Sequence, residues 1–348
     1  MNLATFKDSF DKILLGFLDQ KLRNLPDAPG DIKTYLSYLK TFLVEGKRIR
    51  PYISYLSYKS NGGKHDDKAI KLLVFLEVFH AFCLVHDDVM DKSYKRHGVK
   101  TIHKFISDKY LGNRFVDPTH FGNSNAILLG DFLFTWANEV LLTNKDFDKE
   151  SVSRVYGVYK QMINDVFLGQ MIDLTITSKD KVTDEEILQK YLLKTAKYSF
   201  VGPMMIGAAL VGEVKNEKFY EDFGISLGLA FQIQDDLMDL VFDEKQIKKS
   251  SLNDIEQHQH TLFTNYIFEK GTKEQINTLK NLFGKKLDKK DRLKLRNIFY
   301  ESGAVEYGKK IIADNLSEAK NLLEKQKINE EYKKLFLKLI FQIENRGN

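Results

Sequence analysis

The chain of 348 residues is 43% hydrophobic and 29% charged, an ordinary globular composition that excludes a disordered or collagen-like protein. Its formal net charge of +5 is weak for this length, and its densest basic stretch, Lys285 to Arg296, contains Asp288 and Asp291 and reads as a solvated helix face, so nucleic-acid binding is not expected. The single cysteine, Cys83, lies in an apolar run outside any Cys/His ligand spacing, which excludes an internal disulfide and points to a reducing, cytoplasmic setting.

Only five prolines interrupt the chain, and runs rich in Leu, Lys, Glu, Ala, Ile and Phe recur at helical spacing, so the expected fold is all-α. The first stretch, Met1 to Leu18, carries Asp8 and Asp11 among its apolar residues and lacks a small-residue cleavage site, which argues against a signal or transit peptide. Pro26 to Gly30 breaks the pattern, and Gly46-Lys47-Arg48-Ile49-Arg50-Pro51 then gathers three cations around a helix start, with Pro51 suited to a first turn. After Asn61-Gly62-Gly63, one helical pattern carries Glu77, His80 and Cys83 into Asp87-Asp88-Val89-Met90-Asp91. Lys95, Arg96 and His97 follow before Gly98, and the next break runs from Gly112 to Asn123.

Helical patterns resume through Gly130-Asp131 and Gly169-Gln170-Met171-Ile172-Asp173, then, beyond Ser178 to Thr183, through Lys194-Thr195. The apolar window Phe200 to Gly212 is thirteen residues long, short of the ~20 that span a bilayer, and reads as a buried helix, so no transmembrane segment is expected. Phe231-Gln232-Ile233-Gln234 leads into Asp235-Asp236-Leu237-Met238-Asp239, and further breaks fall at Asp243 to His260, Gly271-Thr272 and Ser302-Gly303. None is long or polar enough for a linker, so residues 1–348 are expected to form a single domain.

The same acidic pentapeptide thus occurs twice. At ~100° per residue, positions i, i+1 and i+4 share roughly a third of a helix circumference, so each copy aims three carboxylates one way. Carboxylates crowded on apolar helices resist joint ionisation unless cations join them, and hard oxygen ligands suit Mg²⁺. His80, two turns before Asp87, lies along the first acidic face and reads either as a core histidine or as a ligand contact. Gly46 to Pro51 reads as a diphosphate seat or as a basic surface turn. Cations after both acidic helices, Arg96 in one case and Lys248-Lys249 in the other, fit a diphosphate that carboxylates hold through magnesium and that Lys and Arg hold directly. Such a clamp favours the leaving diphosphate over the ester and lowers the barrier to C–O cleavage.

These motifs resemble the trans-type polyprenyl diphosphate synthases, which include farnesyl and geranylgeranyl diphosphate synthases. The resemblance runs from about Gly46 to Thr261, with a weaker likeness at Ser302-Gly303-Ala304, and at least six motifs fall in the family's order. It implies a homodimer of an isoprenoid-synthase helical bundle around a central cavity, with the Asp clusters facing each other. It further implies that Gly46, Lys47, Arg50 and His80 seat isopentenyl diphosphate, and that Asp87, Asp91 and Asp235, supported by Asp88, Asp236 and Asp239, bind about three Mg²⁺ ions. Arg96, Lys194 and Lys249 would hold the allylic diphosphate, with Thr195 and Gln232 beside the allylic cation. In this family the allylic substrate ionises, the isopentenyl double bond attacks, and a proton passes to the released diphosphate.

Two departures stand out. His97 replaces the second of two arginines that usually contact isopentenyl diphosphate, and Gln259, in His258-Gln259-His260-Thr261, replaces a lysine of the allylic clamp, while Lys249 and Asp254 remain. Bulk ahead of the first cluster sets product length in this family, so Phe82, reinforced by Phe79 and adjoining the small Cys83, implies a product near twenty carbons, with fifteen as the alternative. The expected function is short-chain prenyl transfer. A catalytically weak regulatory subunit is the runner-up, motivated by His97 and Gln259, and a terpene cyclase fits less well because it would lack the second acidic cluster and the Lys47/Arg50 seat.

Overall fold

The computed structural model describes residues 1–96, 98–212, 214–242 and 251–345. His97 and Lys249, both expected at the site, lie outside the described residues. Among the described residues the fold is all-α, as expected from the periodicity, apart from one hairpin pairing Lys95–Arg96 with Val99–Lys100 around Gly98, whose φ of +84° suits glycine. The chain falls into two compact units, one built from residues 1–156 with 209–212, the other from 157–208 with the described residues beyond 213.

In the first unit, helix α1 (Leu3–Arg23) starts where the Asn2 side chain accepts from the Thr5 N–H at 3.0 Å, and it buries Phe6, Phe10, Leu14 and Leu18, one residue per turn. Helices α2 (Gly30–Val44) and α3 (Ile49–Ser60) follow, with Pro51 in the first turn of α3. Helix α4 (Asp66–Met90) is buried on most of its circumference, so it is the core helix of this unit. It is also long and apolar enough to cross a membrane by length and composition, a property the sequence reading looked for in residues 200–212 instead; 72% of its apolar window is buried within the protein. Helix α5 (Ile102–Lys109) and helix α6 (Pro118–Leu142), the latter capped by the Asp117 carboxylate, pack together and α6 packs along α4. Helix α7 (Lys149–Thr177) contains the boundary between the units.

In the second unit, α8 (Asp184–Lys190), begun by a Thr183–Glu186 capping box, continues into a π-helix, Tyr191–Val201, and then α9 (Gly202–Ala209). Helix α10 (Glu217–Val241) packs on the π-helix. The short α11 (Asn253–Glu256), α12 (Leu262–Lys270), α13 (Lys273–Leu282) and α14 (Lys289–Glu301) lead to α15 (Ala304–Lys325), which packs along α10, and to α16 (Glu330–Glu344). Two glycines bring the π-helix close to its neighbours: a Cβ on Gly169 would stand 2.7 Å from Lys194 Cα, and one on Gly228 would overlap Ala196. The motif glycine at 169 therefore lets α7 approach the backbone that carries Lys194 and Thr195.

The three cations around the α3 start are not equivalent. Arg48, in left-handed backbone conformation with φ +54°, is buried; its Nε donates to Asp11 at 2.6 Å, Nη1 to Glu77 at 2.7 Å, and Nη2 to the Leu43 and Val44 carbonyls at 2.7 and 3.1 Å. Gly46 makes room for it, because a Cβ there would overlap the guanidinium. Arg48→Met leaves Glu77 buried and uncompensated, so we expect a loss of about 3–5 kcal/mol. The unfolding midpoint in urea measures this, and adding Glu77→Leu is expected to recover part of the loss.

Candidate active site

The first acidic cluster ends α4. Asp87 is half-buried, Asp88 is buried, and Asp91 is the C-cap residue whose N–H donates to the Asp87 carbonyl at 2.8 Å. The hairpin delivers Arg96 to this pair: Nη2 stands 3.0 Å from Asp87 Oδ2 and 2.7 Å from Asp88 Oδ1, while Nε donates to Asp88 Oδ1 at 2.8 Å. Burial pushes the Asp88 carboxyl up to about 6 against the opposing charge and hydrogen bond of Arg96, with the Asp87 charge adding to the rise. Its Oδ2 is buried without a hydrogen-bond partner.

Two turns earlier on α4, His80 Nε2 lies 3.0 Å from Arg50 Nη1, so the structure joins two of the residues expected at the isopentenyl seat. Lys47 is exposed, whereas Arg48 turns inward as described. Phe82 is buried beside Phe79 at 5.6 Å, Phe134 at 5.1 Å and His86 at 4.6 Å, and Cys83 is half-buried. Phe134, on α6, was not anticipated, since no local pattern links it to Phe82. Gly130 has a spatial reason as well: a Cβ there would overlap the ring of His86, whose Nε2–H donates to the Ile127 carbonyl at 3.1 Å.

The second cluster lies on α10, where Asp235 is half-buried and Asp236 and Asp239 are buried. Gln232 Nε2 donates to Asp236 Oδ1 at 2.8 Å, and Thr195 Oγ1 donates to Gln232 Oε1 at 2.7 Å, so the two residues expected beside the allylic cation are hydrogen-bonded to each other. The Tyr191 hydroxyl, on the π-helix, donates to Asp236 Oδ2. Burial raises the Asp236 carboxyl to about 7, Asp254 adds to the rise, and Lys190 with the Tyr191 and Gln232 hydrogen bonds opposes it. Asp239 Oδ2 accepts from the Asp254 N–H at 3.2 Å.

Lys194 Nζ donates to Asp173 Oδ2 at 2.6 Å, and Lys190 Nζ lies 3.2 Å from the other oxygen and donates to the His260 carbonyl at 2.9 Å. Burial would raise Asp173, but the two ammonium groups outweigh it and hold the carboxyl below its ordinary range. The segment at 258–261 is fastened in place: His258 Nδ1–H donates to the Thr177 carbonyl at 2.8 Å, His260 Nε2–H to the Lys179 carbonyl at 3.0 Å, and Thr261 caps α12. Gln259 Oε1 is buried without a hydrogen-bond partner. Tyr191 and Lys190 were missed because their partners lie 45 and 70 residues away and a π-helix has no simple sequence signature.

Comparison with known proteins settles what kind of chain carries these two clusters. The polyprenyl synthetase family profile matches residues 32–298. The chain belongs to the polyprenyl synthetase family. Similar relatives include a geranylgeranyl pyrophosphate synthase of Geoglobus acetivorans, 32% identical over 308 residues and 88% of each chain, and a short chain isoprenyl diphosphate synthase of Methanothermobacter thermautotrophicus, 31% identical over 281 residues and 80% of each. Among solved structures, a geranylgeranyl pyrophosphate synthase of Corynebacterium glutamicum, complexed with isoprenyl diphosphate and magnesium, shares the fold with a TM-score of 0.93 at 24% identity, covering 99% of this chain and 100% of that one. The geranylgeranyl pyrophosphate synthetase of Pyrococcus horikoshii gives a TM-score of 0.80 at 27% identity, covering 98% and 99%. As a polyprenyl synthetase the chain is a prenyltransferase with the isoprenoid-synthase fold.

The residues present fit the magnesium that this family implies. Both clusters supply hard carboxylate oxygens, and the buried, unpartnered Asp88 Oδ2 is suited to a cation. Among the described residues no group of three or more His, Cys, Asp or Glu forms a metal site by itself.

Tyr191→Phe removes the hydroxyl that shares Asp236 with Gln232 while keeping the buried ring. We expect a loss of about tenfold in kcat/KM, one hydrogen bond to a charged group being about 1.5 kcal/mol, and a stability loss of about 1–3 kcal/mol because a buried carboxylate loses a donor. An unchanged kcat/KM and Mg²⁺ requirement would show that the hydroxyl does not position Asp236.

Proposed function

We propose that the chain condenses isopentenyl diphosphate with an allylic diphosphate to give a product of about twenty carbons, and that its two acidic clusters bind about three Mg²⁺ ions. The observation that carries this reading is the pairing, in both copies of the pentapeptide, of a half-buried aspartate with a buried one whose carboxyl is pushed up, to about 6 at Asp88 and about 7 at Asp236. In each copy burial opposes the charged form of one carboxyl, and added positive charge favours it.

Magnesium supplies charge that stabilises the departing diphosphate. Lys47, Arg50 and His80 orient isopentenyl diphosphate, the Arg50–His80 contact holding the guanidinium in place for a phosphate. Arg96 and Lys194, paired with Asp87/Asp88 and Asp173, are fixed cations that exchange or share those carboxylates when the allylic diphosphate enters; Lys249 adds to them, and His97 stands at the position that serves isopentenyl diphosphate. Thr195 and Gln232 present neutral oxygens to the allylic cation, which stabilise charge without capturing carbon as a strong nucleophile would. The aromatic cluster of Phe79, Phe82 and Phe134, beside Cys83, forms the floor against which the growing chain stops.

We further read the two units as one synthase domain and the chain as a homodimer in the cytoplasm. Exposed apolar rows support the dimer: Ile127, Leu128 and Phe132 on α6, and Phe167, Leu168, Met171 and Leu174 on α7.

Purified protein incubated with Mg²⁺, labelled isopentenyl diphosphate and dimethylallyl, geranyl or farnesyl diphosphate is expected to give elongated products peaking at the geranylgeranyl length; no elongation from any primer overturns the assignment. Phe82→Ala opens the floor, and products longer by about one five-carbon unit or more are expected by chromatographic sizing. An unmoved distribution removes Phe82 from that role.

A further inference from the structure

The segment from Lys92 to Asp117 contains seven lysines and arginines against two aspartates, a formal charge equal to the +5 of the entire chain. The rest of the protein is therefore balanced, and its excess charge is local. The same segment carries the two most exposed large hydrophobic side chains among the described residues, Phe115 at 78% and Leu111 at 71% exposure, with Tyr94 at 51%. A single exposed apolar residue is ordinary on a protein surface. Two at the tip of one basic loop are less so.

The loop is built to hold them out. Tyr110 anchors its start, with its hydroxyl 2.9 Å from that of Tyr35 and its ring 4.5 Å from Phe121. Gly112 turns the chain at φ +79°, Asn113 Oδ1 accepts from the Phe115 N–H at 2.8 Å, and Asp117 ends the loop as the cap of α6. The Arg114 guanidinium lies 4.8 Å from the centroid of the Phe115 ring, placing a cation against an exposed apolar face. Asp108 ties the hairpin to this end of α5, accepting from Lys100 at 2.6 Å and from Tyr94 at 3.3 Å. Lys92, Lys95, Lys109 and Arg114 are exposed around it.

We propose that this loop and the adjoining hairpin dock the protein on an anionic lipid bilayer, Leu111 and Phe115 entering the interface while the lysines and Arg114 engage lipid phosphates. The pairing of apolar tips with surrounding cations matches the two forces that hold a peripheral protein on such a surface: burial of apolar area and attraction of basic side chains to anionic headgroups. The inference does not require the chemistry proposed above, and a vesicle assay tests it without substrate.

The full-length protein is mixed with vesicles of phosphatidylcholine alone or of phosphatidylcholine with phosphatidylglycerol, and the bound fraction is measured by flotation. Binding to the anionic vesicles is expected to exceed that to neutral ones by about fivefold or more and to fall as salt is raised, each engaged cation contributing about a factor of five. Leu111→Ser with Phe115→Ser is expected to lower it about tenfold or more, and Lys109→Gln with Arg114→Gln to lower only the part specific to anionic vesicles. All four residues are exposed, so the unfolding midpoint is expected to stay at the parent value. Equal binding to both vesicle types, undiminished binding of the Leu111/Phe115 variant, or self-association lost on those substitutions without vesicle binding overturns the proposal.

Discussion

Adjacent carboxylates taken out of water are the constraint around which this protein is arranged. Asp88 beside Asp87 and Asp236 beside Asp235 are buried members of acid pairs, and burial is the largest cause lifting both carboxyls above the ordinary aspartate range. An unpaired buried charge costs several kcal/mol, so each pair has to be relieved by protons, by protein cations or by metal. The first pair uses Arg96, brought back by a hairpin that begins four residues after Asp91; the second uses hydrogen bonds from Tyr191 and Gln232. The two solutions differ in kind: one is a charge in direct contact that a competing diphosphate can draw away, the other joins the Lys190 charge to neutral donors that stay with the carboxylate when a cation arrives.

The surrounding helices make those solutions geometrically possible. Gly169 and Gly228 let α7 and α10 close on the π-helix, and that helix places Tyr191, Lys194 and Thr195 toward partners on both of them: Asp236, Asp173 and Gln232. A π-helix is less favourable than an α-helix and persists where tertiary contacts hold it, often at functional sites. In the first unit Gly46 makes room for Arg48 and its buried ion pairs, while the neighbouring Arg50 meets His80. Lysine and arginine look alike in the run from 47 to 50, yet one arginine supports the fold and the other lines the candidate site.

Much of this was legible in the sequence because the chemistry is local. The i, i+1, i+4 spacing placed each aspartate set on one side of a helix, His80 fell two turns before Asp87, and Gln232 lay one turn before Asp236, where it is found bonded to that carboxylate. What was hidden depends on contacts between distant segments. Tyr191 looks like any aromatic in an apolar run until α10 packs beside it, Phe134 joins Phe82 only through the packing of α6 on α4, and nothing in Lys47-Arg48-Ile49-Arg50 tells which arginine finds Glu77. The apolar helix at 66–90 was passed over in favour of the shorter window at 200–212, and composition alone does not distinguish such a core helix from a membrane span.

The central claim is that each acid pair binds diphosphate through magnesium. Calorimetric titration of a non-ionising allylic diphosphate analogue, with and without Mg²⁺, tests it directly on the parent protein and on Asp87→Asn and Asp235→Asn. The account predicts tight binding only with Mg²⁺, weakened about tenfold or more by either substitution alone, since each removes a magnesium ligand. Binding that is independent of Mg²⁺, or that survives loss of one cluster unchanged, would contradict it.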